Sequence, residues 1–100
     1  MTWTVVIKHI RPNTGVGWSA ATSDEDLAYV NTNYVDNGKR VSLTSSVSDD
    51  GLESTKTYVY RDNAAYMEYI TDDRVKSFVQ EQITYNLTND IDATRSSEET

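Results

Sequence analysis

The chain has 100 residues, of which 16 are acidic and nine are basic, and its formal net charge is -7. This length suits one domain, and the acidic balance argues against binding nucleic acid or an anionic membrane surface, because both need clustered Lys and Arg. The chain contains no cysteine, which excludes disulfides, thiol catalysis and cysteine-held metals.

The first segment alternates in hydrophobicity and predicts a strand over about residues 2–10. Both of its faces include apolar side chains, which is typical of a central strand. Residues 11–17 end the strand, because Pro12 has no backbone N–H donor and the two glycines permit positive φ.

Residues 23–38 predict the first helix. Ser23 can cap it, acidic residues fill its first turn, and Gly38 is the expected left-handed stop. The rival interpretation is a strand over residues 24–36, with Asn37 and Gly38 in a hairpin turn. The cap, the apolar periodicity and the terminal glycine together favour the helix.

The remaining segments predict a hairpin followed by two helices. Strands are expected over residues 39–48 and 52–61, with a turn between them at residues 49–51. Asp62 can cap a short helix that ends near residue 70, and a long helix is expected over 73–89. The long helix has a stripe that must pack on an apolar surface, formed by Val75, Phe78, Val79, Gln82, Ile83, Asn86 and Leu87.

The C-terminal residues are polar and acidic. A short edge strand at 91–94 is one interpretation, but residues 96–100 are too polar to predict packing. We therefore expect one α+β domain over residues 1–92 and a polar acidic tail over 93–100.

The order of elements is that of a ferredoxin-like βαββαα(β) sandwich, with helices on one face of an antiparallel sheet. This layout resembles the dimeric α/β-barrel superfamily, in which two ferredoxin-like protomers pack sheet against sheet. That superfamily includes cofactor-independent monooxygenases and haem-degrading enzymes. The resemblance implies a homodimer.

Several short stretches suggest a second likeness, namely residues 1–5, 48–52, 55–57, 61–66 and 85–86. They resemble small uncharacterised proteins of marine tailed phages, notably those that infect cyanobacteria. The resemblance implies a phage-encoded protein with a phage or host partner, located in the cytoplasm of an infected bacterium or in the virion. Residues 1–5 show no secretory signal. The likeness transfers no functional residues.

Candidate binding residues lie on two predicted strands. His9, the only histidine, would share a strand face with Trp3, and such a face can line a ligand cavity in which histidine acts as a base. The plainer interpretation is a hydrogen-bonded structural histidine. Tyr58 and Tyr60 also share a face, and they can stack on a planar ligand or partner or simply pack under the helices.

Two arginines complete the candidates. Arg11 and Arg61 would bind a carboxylate or phosphate if the fold gathered them with His9 at one end of the sheet. The acidic pairs lack the spacing of a calcium loop. No metal site, catalytic motif or cofactor is predicted.

Two classes of function follow from these features. The amphipathic aromatic residues, the acidic surface and the absence of a catalytic motif favour a non-enzymatic interaction or structural module that self-associates. The alternative is a cofactor-independent enzyme or small-ligand binder of the dimeric α/β-barrel type. Its cavity would lie between sheet and helices and would be lined by His9, Trp3 and either Tyr58 or Tyr60.

Overall fold

Four strands form one antiparallel sheet in the computed structural model, which describes residues 1–18 and 23–100. Their order across the sheet is β2-β3-β1-β4, so the first strand is central, as its two apolar faces predicted. The strands are β1 (Trp3–Ile10), β2 (Arg40–Val47), β3 (Glu53–Tyr60) and β4 (Asp92–Glu99).

The helices lie close to their predicted positions. Over residues 24–35 the chain is helical rather than extended, because Ser23 accepts a hydrogen bond from the backbone of Asp26 and Gly38 adopts a φ of +79°. Within the two described ranges, no helix is both long enough and apolar enough to cross a lipid bilayer. The helices are α1 (Asp24–Val30), which continues as a π-helical turn (Asn31–Val35), α2 (Asn63–Thr71) and α3 (Asp73–Thr88).

The C-terminal segment differs from the prediction of a polar tail. β4 pairs with β1 along its whole length, and the backbone N–H of Thr100 donates to the carbonyl oxygen of Thr2. Every β4 residue is exposed, so backbone hydrogen bonds rather than apolar burial hold this edge strand. An alternating apolar pattern, the usual sign of a strand, is therefore absent from its sequence.

The buried core consists of two clusters. One joins the helices through Val30, Tyr34, Val75 and Phe78, and the other joins the sheet to α2 through Val5, Tyr60 and Tyr66. The predicted stripe of α3 is only partly buried, since Leu87 is 75% exposed and Ile83 is 45% exposed. A space therefore remains between the helices and the sheet.

Asp72 fixes how the helices meet. One of its carboxylate oxygens caps α3 by accepting from the backbone N–H groups of Arg74 and Val75, at 2.9 and 3.3 Å. The other accepts from the hydroxyl groups of Tyr29 and Tyr34, at 2.5 and 2.7 Å. A single side chain thus joins α1 and the π-helical turn to the junction of α2 and α3, above the sheet.

Candidate active site

A cavity of about 470 Å³ lies between the sheet and the helices. Its floor is the helix-facing side of all four strands, and its roof comes from α1, α2 and α3. The volume falls in the range of about 300–1,000 Å³ that is typical of small-molecule sites. Leu27, Leu43 and Ile83 line the cavity and are about half exposed, so the cavity opens to solvent.

Strand register decides which polar groups share the floor. Ile7 of β1 pairs with Lys56 on one side and with Arg95 on the other, so the Cα atoms of Lys56 and Arg95 are about 10 Å apart, two strand spacings. His9 pairs with Ser54, which places Lys56 one diagonal step from His9 on the same face. The imidazole and two cationic side chains therefore lie on one floor.

His9 is half-buried among these groups. Burial lowers the pKa of its imidazole below 6.5, and the positive charge of Lys56 lowers the pKa further. The imidazole is consequently neutral at pH 7 and can accept a proton from a ligand in the cavity.

Tyrosines form much of the remaining lining. The ring centroids of Tyr60 and Tyr66 are 5.1 Å apart, and those of Tyr60 and Tyr69 are 5.7 Å apart. Burial raises the pKa of Tyr58, and it raises the pKa of Tyr69 to about 12. These hydroxyl groups are therefore protonated at neutral pH and available as hydrogen-bond donors.

Asn86 of α3 adds a polar group to the roof. Its side chain is buried, and its Oδ1 atom has no hydrogen-bond partner among the described residues. Buried polar atoms are almost always paired in folded proteins, so a ligand or a water molecule in the cavity is the expected partner of this amide.

Three of the candidates named from the sequence line the cavity, namely His9, Tyr58 and Tyr60. Trp3 shares their sheet face but is not part of the lining. Its ring lies beside that of Tyr66, with 6.5 Å between centroids, and its Nε1 atom is buried without a partner in the described part of the chain.

The two remaining candidates lie outside the cavity and apart from each other. Because β1 and β3 are antiparallel, Arg11 follows the end of β1 near His9, whereas Arg61 follows the opposite end of β3. Arg11 donates to the carbonyl oxygens of Gly51 and Val16, at 2.7 and 2.8 Å. Arg61 lies 3.5 Å from the Asp62 carboxylate. The structure does not gather these arginines with His9.

Sequence reasoning missed the cationic side chains and Asn86. The alternation that placed Tyr58 and Tyr60 on one face also placed Lys56 there, so Lys56 could have been found from that pattern. Arg95 could not, because its strand had no apolar signal.

Within residues 1–18 and 23–100, no group of three or more His, Asp or Glu side chains is placed to hold a metal ion.

Comparisons with known proteins give a fold but no family. No protein-family model matches the sequence, and no curated protein matches it. Solved structures do match. SnoaB, a cofactor-independent oxygenase from Streptomyces nogalater, superposes with a TM-score of 0.67 at 9% identity, covering 99% of this chain and 92% of that one.

Two further structures agree with this match. A dimeric ferredoxin-like protein from an uncultured marine organism has a TM-score of 0.59 at 13% identity, over 97% of this chain and 92% of that one. A proposed antibiotic biosynthesis monooxygenase from Deinococcus radiodurans has a TM-score of 0.54 at 13% identity, over 97% of this chain and 91% of that one. The fold is ferredoxin-like. This confirms the architecture predicted from the order of elements.

The expectation of a non-enzymatic interaction module is contradicted. The similar structures include a cofactor-independent oxygenase and a proposed monooxygenase, and an open cavity lies between the sheet and the helices of this chain. The sequence misled because a cavity assembled from single residues on separate elements leaves no local motif.

Proposed function

We propose that this protein is a cofactor-independent oxygenase that acts on a small organic substrate bound in the cavity. The main support is the half-buried, neutral His9 on the floor of an open cavity, in a fold that SnoaB shares. The tyrosine-rich lining suits a planar substrate, since aromatic rings stack and pack well on one another.

The cavity groups suggest how such a reaction proceeds. Without a cofactor, the substrate itself must give electrons to O₂, and it does so more readily once it has lost a proton. His9 is the group that accepts this proton. The negative charge that develops on the substrate is stabilised by hydroxyl donors such as Tyr58 and by the cationic side chains.

The test of this proposal is oxygen consumption by chelator-treated protein with a panel of phenols and enolisable ketones. We expect His9→Gln to lower turnover by about 100-fold or more, as for loss of a general base. Lys8→Gln is the control, because Lys8 is adjacent on β1 but faces the other side of the sheet, 3.8 Å from Glu53. Full turnover in the His9→Gln protein would refute the assignment.

We also propose that the protein is a homodimer joined through the sheet face opposite the helices, here called the outer face. Val6 and Val59 lie on this face beside Thr4 and Thr57, and no helix from the described residues covers it. The similar protein from an uncultured marine organism is dimeric. A dimer of this kind leaves both cavities open, because they lie on the helix-facing sides.

The phage origin, the infected-cell or virion location and the phage or host partner remain predictions from sequence resemblance. They would fit an oxygenase that a phage supplies to its host during infection. The genomic neighbourhood of the coding sequence tests them directly, since phage structural genes or phage metabolic genes on either side would support a phage origin.

A further inference from the structure

The cavity concentrates positive charge in an acidic protein. Four of the nine basic residues line it and none of the 16 acidic residues does, counting the residues that the structure describes. Random placement in a chain of net charge -7 would give the opposite balance. The four basic residues are Arg40, Lys56, Lys76 and Arg95.

These four cations also lack the partners that other basic residues have. Outside the cavity, four side chains lie within 4.0 Å of a carboxylate, namely Lys8, Lys39, Arg61 and Arg74. In the described chain, none of the four cavity cations has such a contact. Arg40 instead lies 5.8 Å from the ring centroid of Tyr58, and Arg95 donates to the hydroxyl of Tyr66 at 3.3 Å. Arg40 and Lys56 are only partly exposed, so their unbalanced charge is partly shielded from water.

The four basic residues line one cavity although they are far apart in sequence. Lys56 and Arg95 flank Ile7 on the floor, and Arg40 pairs with Tyr60 at the other end of β3. Both Arg40 and Arg95 are close enough to Tyr58 to act on the pKa of its hydroxyl. The Arg40 guanidinium lies near the Tyr58 ring, and β3 lies between the strands of Arg40 and Arg95 in the sheet, which suits a ligand with a planar body and an anionic group.

We propose that the cavity selects an organic anion, a small aromatic acid whose ionised group is bound by Lys56 and Arg95, while Arg40 adds positive charge beside Tyr58. This inference rests on the proposed function, because it takes the cavity to be the substrate site. What it adds is that the substrate is negatively charged. Because the rest of the protein is acidic, the cavity is where an incoming anion meets a favourable potential. Lys76, exposed on α3, adds to that potential from the roof.

A matched pair of fluorescent probes tests the charge requirement without any turnover. The probes are 8-anilinonaphthalene-1-sulfonate and N-phenyl-1-naphthylamine, which share one ring system and differ in the anionic sulfonate. We expect the sulfonate probe to bind wild-type protein at least about tenfold more tightly, the worth of one charge-assisted hydrogen bond. We also expect its affinity to fall as salt is raised from 0.05 to 0.5 M (chosen test concentrations). Equal affinity for the two probes would overturn the proposal.

Single substitutions identify which residues bind the sulfonate group of the probe. Lys56→Gln and Arg95→Gln should each weaken the sulfonate probe by about tenfold and leave the neutral probe within about twofold. Lys8→Gln, on the outer face, should change neither. Arg95 is exposed, so its variant keeps the test valid even if substitution of a more buried cation harms folding. An anion site would be refuted if the Lys56 and Arg95 variants lost the same affinity for both probes. It would also be refuted if Lys8→Gln weakened the sulfonate probe as much as they do.

The outcome separates this inference from the proposed function. Charge-selective probe binding without oxygen consumption by any substrate would retain the anion site and remove the oxygenase. Oxygen consumption with neutral substrates, at a KM that Lys56→Gln and Arg95→Gln leave unchanged, would retain the oxygenase and remove the anion site.

Discussion

Lys56 occupies an unusual place for a lysine, one diagonal step from the only histidine and on the helix-facing side of the sheet. A cation beside an imidazole disfavours the imidazolium form. Burial acts in the same direction and is the larger of the two effects on the pKa of His9. Burial and the charge of Lys56 therefore keep His9 neutral, and able to accept a proton, at pH values where a free histidine is already partly charged.

The pH dependence of activity should reflect this lowered pKa. Protonated His9 cannot accept a proton, so kcat/KM should fall on acidification, and the fall should be centred below pH 6.5, the ordinary value for histidine. Lys56→Gln removes the smaller of the two causes and should move the acid limb to higher pH. Steady-state rates between pH 5 and 8 (a chosen range) check this.

Two outcomes would count against the assignment of His9. One is an acid limb centred above pH 7, and the other is a Lys56→Gln profile shifted to lower pH. Lys8→Gln changes the charge by the same amount on the opposite face, so its profile should match that of wild type.

The same lowered pKa also predicts that folding stability declines as pH falls below 6.5, because protonation is less favourable in the folded state.

At the scale of secondary structure, the capping residue Asp72 also joins the helices to one another. Burial opposes the charge of Asp72, but hydrogen bonds from Tyr29, Tyr34 and the backbone outweigh it and lower the pKa of the carboxylate. Asp62 caps α2 with one hydrogen bond, from the backbone N–H of Ala65. The two aspartates are therefore a natural comparison between a cap alone and a cap that also joins helices.

We expect Asp72→Ala to lower the free energy of unfolding by about 2 kcal/mol, because it removes a cap, leaves the Tyr29 hydroxyl without its acceptor and leaves the Tyr34 hydroxyl only the longer contact to the Glu68 carbonyl oxygen, at 3.3 Å. Asp62→Ala should cost clearly less. Urea unfolding followed by circular dichroism measures both. A smaller loss for Asp72→Ala than for Asp62→Ala would contradict this role of Asp72.

Acid should reduce the difference between wild type and Asp72→Ala. The folded-state pKa of Asp72 lies below 3.8, its ordinary value, so the stabilisation is present above that pH and is lost as pH falls through the folded-state value. Unfolding curves at neutral pH and near pH 3 test this. A gap between the two proteins that is constant with pH would show that the carboxylate charge contributes little.

For the molecule as a whole, the two faces of the sheet differ in role. The helix-facing side forms the cavity floor, and the outer face offers Val6 and Val59 among threonines. A bare antiparallel face can remain in water if it is polar, and the mixture of valine and threonine here suits burial against a second copy. The edge strand β4 is charged, which discourages pairing at the sheet edge.

We expect Val6→Glu to shift the protein from dimer to monomer, because two acidic side chains would be brought together at the centre of the outer faces. Size-exclusion chromatography with light scattering measures the mass. Val47→Glu is the control, because Val47 is 54% exposed and lies on the helix-facing side of β2. A wild-type monomer, or an equal shift in both variants, would argue against this interface.

Much of the fold could be predicted from local signals. Ser23, Asp62 and Asp72 cap helices, and Gly38 and Gly51 take the positive φ that ends a helix or closes a hairpin. These effects act within a few residues, so a single sequence contains them. Three of the cavity residues followed from strand alternation alone, namely His9, Tyr58 and Tyr60.

The tertiary structure decided the rest. β4 has no apolar pattern, so only its hydrogen bonds to β1 define it, and Arg95 reaches the cavity through that pairing. Leu87 has the helical spacing of a core residue, yet it is 75% exposed. The cavity depends on register between strands that are distant in sequence, and no local pattern fixes that register. Caps, turns and periodicity therefore determined the elements, whereas long-range pairing brought separate cations and one histidine into a common site.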